Sequence, residues 1–296
     1  MTLKRSVEQK ESNTAGYTCF CRACAHLEED ELFRGADNMA SVFLPESVKS
    51  ALGVPSQRKL IIKDRIPLGI YEYIMARTKL LDGIFLDALK NKFKQIVLLG
   101  AGYDSRALRF REHNQGTRIF ELDITPTQKL KREIIDREQI SLPKGLIFVP
   151  IDFNRQSLSE VLSAAGYEKD QKNLFLWEGV SMYLTQEAVD NTLSVINSTS
   201  ASGSLVAFDY IFASVLRREN RYFGEQILYE TVSAVGEGFT FGVEEGMIGE
   251  FLAERGFKVE QNQTAPDLEK HYLSTEDGSL FGRINGIHAI VVASCL

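Results

Sequence analysis

The chain has 296 residues, 44% hydrophobic and 25% charged, with 34 basic side chains against 40 acidic ones and a net charge of −6. This is an ordinary globular composition, long enough for one large α/β domain or two small ones, and its acidic balance weighs against a nucleic-acid partner. No apolar run reaches the length of a bilayer span and the first 30 residues are polar and mixed in charge, so neither a membrane helix nor a secretory signal is expected, and a cytoplasmic setting is.

Residues 17–93 read as mostly helical, with a loop around "LGVPSQRK" at 52–59. The stretch "IPLGIYEYIMARTKLLDGIFLDALKNKF" keeps apolar residues at helical spacing for several turns. Cys19, Cys21 and Cys24 crowd into "TCFCRAC", with His26 close by and the fourth cysteine far away at Cys295. Structural zinc sites want four ligands, typically in spaced pairs, so a helix using cysteine as a small apolar residue is the simpler reading and no metal is expected.

From Gln95 the pattern changes to short apolar strands alternating with helical stretches. The strands are "QIVLLG", "TRIFELD", "GLIFVPID", "NLFLWEG", "GSLVAFDY", "GFKVEQN" and "GIHAIVVAS". Several are continuous apolar runs, the mark of parallel strands buried on both faces. Helices are predicted at "PTQKLKREIIDREQ" and at "TQEAVDNTLSVINS", the latter starting near Thr185. Residues 263–285, between the last two strands, show no helical period. A final strand reached by a loop rather than a crossover helix reads as antiparallel. Seven strands with the last reversed is the arrangement of class I methyltransferases.

"VLLGAGYDSRALRF", at 97–110, climbs to Gly100, turns through Gly102 and enters a helix. It lacks the lysine and spacing of a triphosphate loop. A dinucleotide turn wants Gly or Ala in the third place, where this chain has Ser105, so the turn alone decides nothing further. The strand ends say more. In an open α/β sheet the ligand sits outside the carboxyl ends of the strands. There stand Asp104, Glu121 and Asp123, Asp152 and Glu178. One acid after the second strand fits any ribose, but acids after the third and fourth would repel a pyrophosphate. They suit a sulfonium, an ammonium and an adenine amine together, which is S-adenosylmethionine. Each acid taken singly reads rather as a helix cap or a surface charge; the row of them at strand ends is what points to the cofactor.

With "IFELD", "VPIDF" and "LWEGVSMYL", that turn resembles the leucine carboxyl methyltransferase-like family of S-adenosylmethionine-dependent enzymes, Ser105 replacing the family's threonine. "YIMARTKLLD" is similar to its R-T-x-x-x-D segment and "NTAGYTCFCRACA" more loosely to its first helix, so the resemblance runs from Thr14 to Asp209. It implies that Gly100 and Gly102 pass under the methionine part of the cofactor and that Asp123 takes both ribose hydroxyls. Asp152 accepts from the adenine amine and Phe153 faces the ring. Glu178 contacts the ammonium end, and Arg77, with Arg22 as a second candidate, holds the methionine carboxylate. Arg77 could instead pair with Glu72 or Asp82 on its own helix, and Arg22 could lie on a solvated face. Arg106 reads as structural, bonding backbone or Asp104.

The expected architecture is a single α/β domain over 1–296, a seven-stranded, mostly parallel Rossmann-like sheet. A helical cap covers 1–93, the cofactor-binding core 94–209, a lid 210–248 and the C-terminal strands 249–296. Only four histidines exist and none falls in a strand-end motif. That favours an acceptor needing no base, a carboxylate on a small molecule or peptide, over a secondary-metabolite hydroxyl or, on the same turn, nicotinamide oxidoreduction. Tyr183 and the lid residues Arg217, Arg221 and Tyr222 are the candidate substrate contacts; a solvated basic helix face is the alternative for the lid cluster.

Overall fold

The computed structural model describes residues 13–153, 155–234 and 238–296, so residues 1–12 of the expected cap and 235–237 of the expected lid lie outside the described residues. The cap comprises α1 (Asn13–His26), a 3-10 turn at Ala40–Phe43, α2 (Glu46–Leu52), α3 (Pro55–Arg65) and α4 (Ile70–Lys90). Strands and helices then alternate: β1 (Gln95–Leu99), α5 (Arg106–Arg109), β2 (Arg118–Asp123), α6 (Thr125–Arg137), β3 (Leu146–Pro150), α7 (Leu158–Ala164), β4 (Asn173–Trp177), α8 (Gln186–Thr199) and β5 (Leu205–Ile211). The chain closes with α9 (Ala213–Leu216), α10 (Glu225–Ala234), α11 (Ile248–Ala253), β6 (Phe257–Thr264), α12 (Ala265–Tyr272) and β7 (His288–Cys295).

The seven strands form one sheet in the order β3-β2-β1-β4-β5-β7-β6. β1 to β5 pair in parallel, and β7 lies antiparallel between β5 and β6. All five residues of β1 and of β4 are buried, as continuous apolar strands with helices on both faces require. The edge strand β6 is mostly exposed and carries Lys258 and Glu260, charges that discourage further strand pairing. The strand order reverses between β1 and β4. The loops leaving their carboxyl ends run apart there and open the cleft that holds the site.

α1 buries Cys19, Cys21 and Cys24, and the Cys19 thiol donates to the Ala40 carbonyl at 3.0 Å. Burial pushes Cys19 up to about 11 and Cys24 up to about 12, so both stay neutral thiols. Among the described residues no group of three or more His, Cys, Asp or Glu could hold a metal, and no helix is long and apolar enough to cross a membrane.

Two local expectations are corrected. Of the loop expected around 52–59, only Gly53 and Val54 separate α2 from α3, because Pro55 starts α3. Proline at a first helical position comes with the right φ, and the N–H it lacks is one the helix does not use. Residues 17–93 are mostly helical, with turns and bends over 27–39. Within 263–285 stands α12, which therefore carries His271. It is eight residues long and buries only Ala265 and Leu268, too little for a periodic signal. What starts it is local chemistry: the Asp267 carboxylate accepts from the Thr264 N–H at 2.9 Å and from its hydroxyl at 2.7 Å. Those hydrogen bonds hold the Asp267 carboxyl below its ordinary value. Asp267→Ala is expected to lower stability by about 1 kcal/mol at neutral pH, read from the urea midpoint. Because the folded value is depressed, the difference from the parent should vanish as pH falls through the carboxylate range below about 4.

Candidate active site

The turn after β1 opens the cleft because two of its residues need left-handed backbone. Gly100 has φ of +70° and Gly102 of +48°. A Cβ on Gly100 would come within 2.5 Å of Val180 Cγ2, across the gap between the β1 and β4 loops. Asp123, the last residue of β2, ties this turn down. Its carboxylate accepts from the Gly102 N–H at 2.5 Å and from the Ile124 N–H at 2.7 Å. Burial raises the Asp123 carboxyl, and the two backbone donors pull it partly back. Beneath the turn Lys131 reaches Glu121 and the Asp104 carbonyl, fixing the turn from the side of α6.

A chain of buried arginines and carboxylates forms the cleft wall. Arg77 of α4 puts Nη1 2.7 Å from Asp209 Oδ2, and its Nε lies 3.0 Å from Glu178 Oε1. The second contact is too poorly aligned for a hydrogen bond and acts through charge alone. Tyr73 donates to the same Asp209 oxygen at 2.9 Å, while the other oxygen accepts from the Gly179 N–H at 2.6 Å. Arg106 bridges Glu178 at 2.8 Å, Asp82 at 2.8 Å and its neighbour Asp104. Arg109 makes a paired contact with Asp82, both bonds 2.8 Å. Arg22 of α1 donates to Asp37 at 3.0 Å and to the Tyr103 carbonyl at 2.6 Å. Ser105 joins the two ends, donating to Asp37 at 2.7 Å and accepting from Arg109 at 2.8 Å. Burial alone would raise Glu178; the guanidinium groups of Arg106, Arg77 and Arg22 outweigh it and hold the carboxyl at about 2.

The cleft has a volume of about 490 Å³. Of the residues singled out from the sequence, it gathers Arg22, Arg77, Gly100, Gly102, Asp123, Phe153, Glu178 and Tyr183. Arg77 pairs with neither Glu72 nor Asp82, the partners expected on its own helix; it faces across to β4 and β5. Arg106 does bond Asp104, as expected, but bridges two further carboxylates. Asp152 is not brought to the cleft. It points 3.5 Å from Arg155 in its own turn, and only the next residue, Phe153, faces inward. The lid cluster is not brought there either. Arg217 is paired with Glu219 and Glu244 and Arg221 with Glu219, all at the surface, and Tyr222 donates to Glu245 at 2.9 Å. Charges already paired at the surface have no need of the cleft. Instead the segment's far end contributes Gly238 and Thr240, the latter bonded to Met182 and Leu184 beside Tyr183.

Sequence reasoning missed Asp209, Tyr73, Asp37, Asp82 and Arg109. Asp209 had a signal, a lone acid inside the apolar run "LVAFDYI", which a buried strand tolerates only when the charge is paired. Asp37 had none, because it sits in an irregular turn and is defined only by what it touches.

A family model described as leucine carboxyl methyltransferase matches residues 16–197. The chain belongs to the leucine carboxyl methyltransferase family. Its relatives carry provisional names as S-adenosyl-L-methionine-dependent methyltransferases. One from Frankia alni is 37% identical over 62% of this chain and 63% of its own length, so the match spans less than two thirds of that relative. One from Streptomyces coelicolor is 33% identical over 67% of this chain and 68% of its own. YktD of Bacillus subtilis is 27% identical over 73% and 71%. Among solved structures, the chain is similar to magnesium protoporphyrin IX methyltransferase from Synechocystis with bound S-adenosylhomocysteine, at a TM-score of 0.48 and 11% identity over 80% of this chain and 92% of that one. The family's cofactor is S-adenosylmethionine, and the cleft wall fits it: glycines where a Cβ would close the gap, and acids facing a ligand rich in positive charge.

Glu178→Ala should leave Arg77 and Arg106 short of countercharge and cost roughly 3 kcal/mol in urea unfolding at pH 7. The folded carboxyl is depressed, so the deficit should shrink as pH falls from about 4.3 towards 2.

Proposed function

We propose that this protein transfers a methyl group from S-adenosylmethionine to a carboxylate oxygen of a small or peptide-like acceptor, giving a methyl ester. The observation that carries the acceptor class is the absence of an available base. Among the described residues lining the cleft there is no histidine, lysine or cysteine, and its three acids are spoken for: Asp104 and Glu178 by arginines, Asp123 by backbone N–H groups. A carboxylate is ionised at neutral pH and needs no proton removed, whereas an alcohol or phenol does. The family's description names a carboxyl as well.

In this reading Arg77 and Arg22 receive the methionine carboxylate, with Glu178 held ionised beside them for the ammonium. Gly100 and Gly102 let the backbone pass close beneath. The lone pairs of Asp123 that its two backbone donors leave free accept the ribose hydroxyls, and Phe153 covers the adenine. Five carboxylates against four guanidiniums in the wall, with Asp123 besides, keep the cleft net negative. That suits a sulfonium together with an ammonium. Bound S-adenosylmethionine supplies a methyl on a sulfonium, which the acceptor oxygen displaces to leave S-adenosylhomocysteine. The chain's own contribution is to hold the acceptor in line and dry. In this reading Tyr183, its ring 5.6 Å from that of Phe239, takes part in that on the β4 side.

Asp123→Ala removes the acceptor for two hydrogen bonds, and calorimetry should show S-adenosylmethionine binding weakened roughly 30- to 100-fold, equivalent to about 2–3 kcal/mol. Unchanged binding would remove Asp123 from the site. The reaction itself is tested by incubating the protein with methyl-labelled cofactor and candidate acids. Mild alkali should then release the label as volatile methanol, and turnover should stay level between about pH 6 and 8 for want of a titrating base. Label that survives alkali would mark an ether or amine product and end the carboxylate reading.

A further inference from the structure

The cleft has a neighbouring cavity. On the other side of α1 runs a groove of about 610 Å³, bounded by α1, α2, α3 and α6. α1 is the partition: Ala15, Thr18 and Arg22 face the cleft, while Gly16, Tyr17 and Phe20 face the groove, and Tyr103 borders both. Phe20, Phe43, Val48, Ile61 and Ile134 make the groove apolar, and no aspartate or glutamate lines it. Among the described residues its charged lining residues are Arg65 and Arg137. Arg65 forms no ion pair with any described residue, while Arg137 holds its exposed neighbour Glu138 at 3.1 Å and lies within electrostatic reach of Glu46.

α3 supplies the second observation. None of its 11 residues is buried, although it includes Leu60, Ile61 and Ile62. A helix in a folded protein owes most of its stability to an apolar face packed against something. In α3, Ile61 faces the groove, and among the described residues nothing covers that face fully.

We propose that this groove is a binding site, separate from the cleft, for a single-chain carboxylate amphiphile such as a fatty acid. The chain lies along the apolar floor beneath α3, and the carboxylate is held by the Arg65 and Arg137 guanidiniums at the end. The volume is in the range of a site for one small ligand. The planar two-donor edge of a guanidinium matches the two oxygens of a carboxylate.

The test is calorimetric titration of the full chain, saturated with S-adenosylhomocysteine, with dodecanoate. One ligand should bind at micromolar strength. Decanoate should bind roughly tenfold more weakly, following about threefold to fourfold per methylene, and dodecanol at least fivefold more weakly. Ala51→Trp, which fills the groove, should abolish binding, and Arg65→Gln should weaken it five- to tenfold. Both variants should bind S-adenosylhomocysteine within twofold of the parent, which shows them folded. No binding of dodecanoate overturns the proposal. So does binding that neither variant changes, which would put the ligand elsewhere. Sedimentation revealing a dimer that Ile61→Arg dissociates would assign the groove to a second copy of the chain and equally overturn it.

Discussion

Everything at the cleft depends on charge pairing away from water. Arg22, Arg77, Arg106 and Arg109 are buried, and so are Asp37, Asp82, Asp104 and Asp209. Each ion alone would be expensive to bury; each is accepted because its partner is already in place. The partners come from α1 and the turn after it, the middle of α4, the loop after β1 with α5, the loop after β4, and β5. The pairs of Arg77 with Asp209 and Glu178, and of Arg106 and Arg109 with Asp82, form only when the cap lies on the sheet, so cap and core are locked together by contacts that also shape the cleft.

Arginine rather than lysine suits this task. Arg106 meets Asp82, Asp104 and Glu178 at once, and Arg109 grips both oxygens of Asp82. A fork of five donors can span several acids with good geometry, where an ammonium is a single point. The arrangement also sets the chemistry. Glu178 stays ionised because two guanidiniums and the nearby Arg22 favour its charge more than burial penalises it. Ser105, which stands where a dinucleotide turn has glycine or alanine for close helix packing, bonds Asp37 and Arg109 instead. The residue that departs from one nucleotide motif is a joint in the framework of another.

α1 is the hinge between the two cavities. Its cysteines anchor it to the cap, and its remaining residues divide between cleft and groove. The sequence "NTAGYTCFCRACAH" is accordingly small and apolar with few charges, and its hydrophobic residues do not gather on one stripe. A helix used on several sides cannot be amphipathic in the usual way. α3, by contrast, is polar nearly throughout and rests on the groove with little of its own buried.

The elements of the sheet were legible from composition alone. Buried parallel strands such as "QIVLL" and "NLFLW" are apolar beyond their first residue, and the reversed last strand was read from a connection without helical period, which in the structure holds only the short α12. The G-x-G turn and the acids at strand ends were legible too, because backbone conformation and unusual charge leave marks in one dimension. So the sequence by itself determined the sheet, the place of the cleft and the class of cofactor. What the tertiary structure alone decided is which charges meet. The lone acid in "LVAFDYI" marks Asp209 as paired but not with what, and nothing in the order of residues names Arg77 as its partner or separates Arg22 in the wall from Arg217 at the surface. An ion pair forms between atoms a few ångströms apart, and segments more than 100 residues apart in the chain reach that distance only after the helices have packed on the sheet.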